Sequence, residues 1–124
     1  MILERKYDEA VKSFDEAIRL KPQFPMAFAA RGSALLAAKD MDRALADFNE
    51  AIRLKPDLQF AFVERGRLYN LQGEYQRAIQ DFDEAIQLSP DNIKAFEGRA
   101  YAKQKLRDHK GAAADRRQAA HLRR

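Results

Sequence analysis

Cysteine is absent from the 124 residues, which excludes disulfides and thiolate metal sites and leaves the redox compartment open. Glycine and proline are scarce, at five and four residues, and no Ser/Thr-rich or single-residue tract occurs, so no flexible linker or low-complexity tail is expected. The amino terminus reaches charge at Glu4, too early for the apolar region of a secretion signal. A cytoplasmic chain is the expectation as written, although a piece of a longer parent would read the same. Charged residues make up 34% and leave no room for a membrane span, while 46% hydrophobic residues are enough to build a core.

Catalytic signatures are missing too. There is no Gly-rich phosphate loop, no H-E-x-x-H and no G-x-S-x-G. The only histidines, His109 and His121, would stand roughly 18 Å apart along one helix, too far to share a metal. Asp15-Glu16 and the group Asp81, Asp83 and Glu84 read as solvated helix faces. No enzyme activity, metal or cofactor is expected.

What the chain does have is self-similarity. FDEAIRLKP ends at Pro22, FNEAIRLKP at Pro56 and FDEAIQLSP at Pro90, each 34 residues after the last. FAARGSALL from Phe28, FVERGRLYN from Phe62 and FEGRAYAKQ from Phe96 repeat at the same interval. Fixed periods of this length are the sequence mark of stacked arrays. Ala44, Leu45, Phe48, Ala51 and Ile52, and then Ala78, Ile79, Phe82, Ala85 and Ile86, follow a helical period. The prolines end those helices by pushing Lys21, Lys55 and Ser89 out of helical geometry. Within a unit the apolar period breaks at Ala38-Lys39-Asp40 and Leu71-Gln72-Gly73-Glu74, with Asp40 as an N-cap and Gly73 as a C-cap. Each unit is therefore two antiparallel helices. Gly32 and Gly66 on the first, with small alanines on the second, allow close approach, and Phe48 or Phe82 fills the space.

These residues resemble the tetratricopeptide repeat family, whose first helix carries an aromatic, a leucine-like residue, a small residue and a tyrosine, and whose second carries Ala, Phe, Ala and a closing Pro. Phe28, Gly32, Leu35, Ala44, Phe48, Ala51 and Pro56 match, as do Phe62, Gly66, Tyr69, Ala78, Phe82, Ala85 and Pro90. The resemblance implies an all-α, right-handed α-solenoid of about seven helices. Its expected segments are a half repeat over 1–24, repeats over 25–58 and 59–92, and a degenerate capping repeat over 93–124.

Departures from the pattern carry further expectations. Arg31, Arg65 and Arg99 stand where the family has an aliphatic residue, and Asp47, Asp81 and Asp115 follow sixteen residues later, so Arg–Asp pairs between helices are expected. If exposed, such pairs contribute roughly 0–1 kcal/mol each. The first unit is expected to hold only a second-type helix over 8–21, whose Ala10, Phe14 and Ala17 lack half their partners and are candidates for self-association into a homo-oligomer. In the last unit Arg116 replaces the phenylalanine, Ala120 the isoleucine and Lys103 the tyrosine, so residues 109–123 read as a wettable cap.

The resemblance implies a scaffold that binds a partner peptide in a groove lined by the first helices. The candidate groove residues are Met26, Ala29, Ser33, Leu36 and Ala37, then Phe60, Val63, Arg67, Asn70 and Leu71, then Lys94, Glu97, Tyr101, Gln104 and Lys105. Members that bind acidic chaperone tails carry a Lys/Asn/Lys/Arg clamp. Ala29, Ser33 and Glu64 stand at matching positions, so that activity is not expected. Net charge is +4, concentrated in residues 93–124. Arg107, Lys110, Arg116, Arg117, Arg123 and Arg124 give an alternative reading as an anionic-surface or RNA site. Only Tyr101 supplies an aromatic there, so nucleic acid is the weaker partner class.

Overall fold

The computed structural model describes residues 2–124 as α1 (Ile2–Leu20), α2 (Pro25–Ala37), α3 (Met41–Leu54), α4 (Gln59–Leu71), α5 (Tyr75–Leu88), α6 (Ile93–Lys105) and α7 (His109–Leu122). No strand occurs among the described residues. They form two compact units, Met1–Ala61 and Phe62–Arg124, divided within α4.

In the first unit α1 packs on α2 and α2 on α3. Proline at the start of α2 removes only a donor that has no helical partner anyway. Asp40 caps α3 by accepting the Arg43 backbone N–H, and Lys55 ends it in extended geometry before Pro56. Ala44, Phe48 and Ala51 are fully buried. A Cβ on Gly32 would lie 2.7 Å from the Phe48 ring, so the ring occupies space that only a glycine leaves. Ala29, Ala51, Leu58 and Ala61 close this core, with Phe28 and Ile52 against it.

One boundary differs from expectation: α1 starts at Ile2, not near residue 8. At the register of Lys39 and Asp40 the first copy has Arg5 and Lys6. Strong helix formers there, with no capping Asp, let the helix run through the position where the other copies turn. No residue of α1 is fully buried.

The second unit repeats the scheme. α5 packs on α6 and α6 on α7. Phe82 lies between α4 and α6, where Cβ atoms on Gly66 and Gly98 would approach its ring to 2.8 and 2.3 Å. Ala100 stands in the glycine register of the last pair, opposite Arg116 rather than phenylalanine. Where the ring is gone, the glycine is gone. Asn92 and Asp108 cap α6 and α7 through the N–H groups of Ala95 and Gly111.

The turn inside each complete pair has one geometry. Asp40 N–H donates to Leu35 C=O, Glu74 to Tyr69 and Asp108 to Lys103, at 2.8, 2.9 and 2.8 Å. The residue before each donor is left-handed: Lys39 at φ 66°, Gly73 at 77° and Arg107 at 69°. This is the six-to-one bond of a Schellman turn, for which glycine is the unstrained choice.

The expected Arg–Asp pairs form. Arg31 donates twice to Asp47 at 2.8 Å, Arg65 to Asp81 at 2.9 and 2.8 Å, and Arg99 to Asp115 at 2.9 and 2.7 Å. Each guanidinium also lies near the Phe three residues earlier, at 5.4–5.7 Å. The three aspartates are buried, so the small value for exposed pairs does not apply. Burial raises the Asp81 carboxyl above its usual range, outweighing Arg65. Burial opposes ionisation of Asp115 as well, but there the hydrogen bonds from Arg99 and Lys103 prevail and its carboxyl falls below that range. Lys103 reaches Asp115 at 3.2 Å, which gives a role to the residue that replaced the tyrosine.

Candidate functional site

In the second unit, α4 and α6 form the sides of a depression of about 550 Å³, lined by Arg67, Asn70, Leu71, Lys94, Glu97, Gly98 and Tyr101. The helical period sets this: Arg67, Asn70 and Leu71 share one face of α4, and Lys94, Glu97, Gly98 and Tyr101 share one face of α6. Asn70 Nδ2 donates to the Gly98 carbonyl at 3.0 Å and ties the two walls together. Asn70 Oδ1 is buried and accepts no hydrogen bond.

The charges of this depression are unevenly satisfied. Arg67 is bound by the buried Glu64 at 3.1 Å, and Glu97 by Arg123 reaching back from the end of α7. No carboxylate among the described residues pairs with Lys94. Leu71 is 64% exposed and Tyr101 46%. The Tyr101 ring is held edge-on by Tyr75 at 6.2 Å, with Lys105 Nζ 5.5 Å from its centroid. The result is an apolar and aromatic surface bordered by a free ammonium, on a backbone fixed by buried pairs.

Of the residues expected to line a groove, Arg67, Asn70, Leu71, Lys94, Glu97 and Tyr101 meet here, and Lys105 covers Tyr101. Gly98 was not expected. It lies one position before Arg99, outside the glycine register, and the signal for it is the replacement of Glu64 thirty-four residues earlier. Val63 is buried. In the first unit Met26 and Phe60 are exposed, but Ala29 and Leu36 are buried. Their expected place on the surface is corrected, because α2 is apolar on most of its faces and the 3.6 period alone does not show which side is covered. Ser33 Oγ is also buried, without a hydrogen-bond partner. No group of three or more His, Cys, Asp or Glu among the described residues is placed to hold a metal, and no described helix is long and apolar enough to cross a membrane.

A family model described as Tetratricopeptide repeat matches residues 4–58, and one described as TPR repeat matches residues 66–106. The chain is a tetratricopeptide repeat protein. Solved structures agree on its all-α solenoid fold. A MamA protein is similar at a TM-score of 0.84 and 22% identity, over 94% of this chain and 63% of that one. MamA residues 41-end from Desulfovibrio magneticus RS-1 gives 0.85 and 26%, over 95% and 67%. The Arabidopsis OM64 TPR domain gives 0.77 and 28%, over 79% and 81%. The chain thus spans about two thirds of the length of the MamA structures it matches. No curated protein sequence matches it. Tetratricopeptide repeats generally mediate protein–protein interaction.

Proposed function

We propose that this tetratricopeptide repeat protein is a scaffold that holds a segment of a partner polypeptide against the α4–α6 depression. The observation that carries the reading is the pairing of exposed Leu71 and Tyr101 with unpaired Lys94, beside Arg67 and Glu97 whose charges are already met. A peptide side chain of apolar character buries against Leu71 and Tyr101. Its backbone carbonyls or a carboxylate meet Lys94. An aromatic anchor next to a polar rim is the usual composition of an interaction hot spot. Affinity capture with wild type and with the Tyr101→Ala, Lys94→Glu double variant tests it. The variant loses the partners that wild type retains, and equal recovery rejects the depression as the site.

A second reading rests on α1. Ala10, Phe14 and Ala17 are only half-buried, whereas their register mates Ala44, Phe48, Ala51, Ala78, Phe82 and Ala85 have no exposed surface. Self-association through this face covers them. Sedimentation velocity on wild type and Phe14→Glu separates the readings: a wild-type dimer abolished by the substitution supports it, and a monomer at all concentrations rejects it.

A further inference from the structure

Within each unit one second-type helix, α1 or α5, presents the same register to the first-type helix that follows it. Asp15 on α1 accepts from Arg31 on α2 at 2.9 Å, and Asp83 on α5 accepts from Arg99 on α6 at 2.8 Å. This register is therefore a helix-docking face within both units. On α7 the same register, thirty-four residues after Asp83, holds Arg117.

Its neighbours change in the same sense. Arg116 stands for Phe82, Lys110 for Gln76, Ala113 for Ile79 and Ala120 for Ile86. The carboxylate that receives an arginine on α1 and α5 has become a cation on α7, and the bulky apolar residues have become alanine. Lys110, Arg116 and Arg117 are exposed. Arg116 reaches Gln104 at 3.4 Å, and no carboxylate among the described residues pairs with Lys110 or Arg117. The one carboxylate on α7, Asp115, is turned inward to Arg99 and Lys103.

We propose that this face of α7 docks an amphipathic helix of a partner protein, with carboxylates toward Lys110, Arg116 and Arg117 and bulky apolar side chains over Ala113 and Ala120. Lys110 and Arg117 lie seven residues apart, about 10.5 Å along the axis, so acidic residues at i and i+7 of the partner match them. Alanines where the other copies have larger aliphatic residues, Val11, Leu45 and Ile79 at one register and Ile18, Ile52 and Ile86 at the other, leave room for the partner's larger side chains and let the two backbones approach. A further repeat of this chain's own type does not fit. Its first helix would bring an arginine, as Arg31 meets Asp15 and Arg99 meets Asp83, against Arg117. Nucleic acid is disfavoured because α7 carries no Phe, Tyr or Trp as a stacking platform for bases.

The test uses the full chain and a labelled synthetic peptide of about 20 residues, long enough to hold a helix. The peptide carries glutamates and leucines on one face, and its binding is read by fluorescence anisotropy. The expected result is saturable binding that falls at least about tenfold with the Lys110→Glu, Arg117→Glu double variant. A scrambled peptide of equal charge is weaker by a similar factor. Binding is unchanged in the Tyr101→Ala, Lys94→Glu variant, which separates this face from the α4–α6 depression. Far-UV circular dichroism confirms that the charge variants, altered only at exposed positions, remain folded. The proposal is overturned by absent binding, by equal binding of the scrambled peptide, by indifference to the α7 substitutions, or by tighter binding of a duplex oligonucleotide of matched charge.

Discussion

α1 and α7 are register copies of one helix, yet they depart from the inner copies in opposite ways. α1 keeps the apolar residues of the inner copies and leaves Ala10, Phe14 and Ala17 half-covered. Its Ser13 stands where Asp47, Asp81 and Asp115 accept an arginine, so no carboxylate is stranded there. α7 instead keeps its capping Asp108 and its buried Asp115, adds Lys103 to the pair, and replaces phenylalanine and isoleucine by Arg116 and Ala120. The contrast teaches that one repeat tolerates an apolar or a charged face at this register, provided no buried charge loses its partner.

The sharpest way to break the comparison is to remove the rings. Phe82→Ala should cost about 3–5 kcal/mol through lost transfer energy and a cavity. Phe14→Ala, at a half-covered copy of the same position, should cost about half as much. Urea unfolding of both variants measures the gap, and equal losses would show that α1 is covered as fully as α5. Next in size is Gly98→Ala, which forces a methyl into the Phe82 ring and should destabilise by about 1–3 kcal/mol.

Asp115→Asn should cost about 1.5–3 kcal/mol near neutrality, and its pH dependence differs in sign from that of Asp81→Asn. The folded Asp115 carboxyl lies below its unfolded value near 3.8, so its stabilisation is present above that value and lost as pH falls through the folded one. The gap between wild type and Asp115→Asn therefore narrows in acid. Asp81 is shifted upward, so the folded state binds its proton more tightly, and the gap between wild type and Asp81→Asn widens as pH falls through the raised value. Thermal melts across the acid range check both slopes. The smallest expected effect is at the turns: Lys39→Gly and Arg107→Gly relieve left-handed backbone in residues that disfavour it and should stabilise by about 0.5–1 kcal/mol, whereas neutral or lower melting temperatures would remove strain from the account.

Much of this fold is legible in the sequence because a 34-residue period fixes helix ends, turns and pairing at once. Phe48, Phe82, Asp40, Gly73 and the three Arg–Asp pairs are all readable from register. The turn at Lys39 and Arg107 is readable only by carrying Gly73 across copies, since neither residue announces a left-handed conformation. The start of α1 was hidden because a missing turn has no signature of its own beyond the absent Asp at Lys6. For the site, Arg67 and Leu71 on α4 and Lys94, Glu97 and Tyr101 on α6, though not Val63, were readable as exposed positions. The burial of Ala29 and Leu36 was not readable, because an almost wholly apolar helix such as α2 gives no contrast between its covered and open sides.

The most direct test of the scaffold reading is photo-cross-linking from a benzophenone side chain introduced at Leu71, in the depression, and separately at Gln76, an exposed position on α5. The account predicts discrete polypeptide adducts from position 71 that are suppressed by Tyr101→Ala with Lys94→Glu, and only background from position 76. Equal adduct patterns from both positions, indifferent to the double substitution, would contradict it.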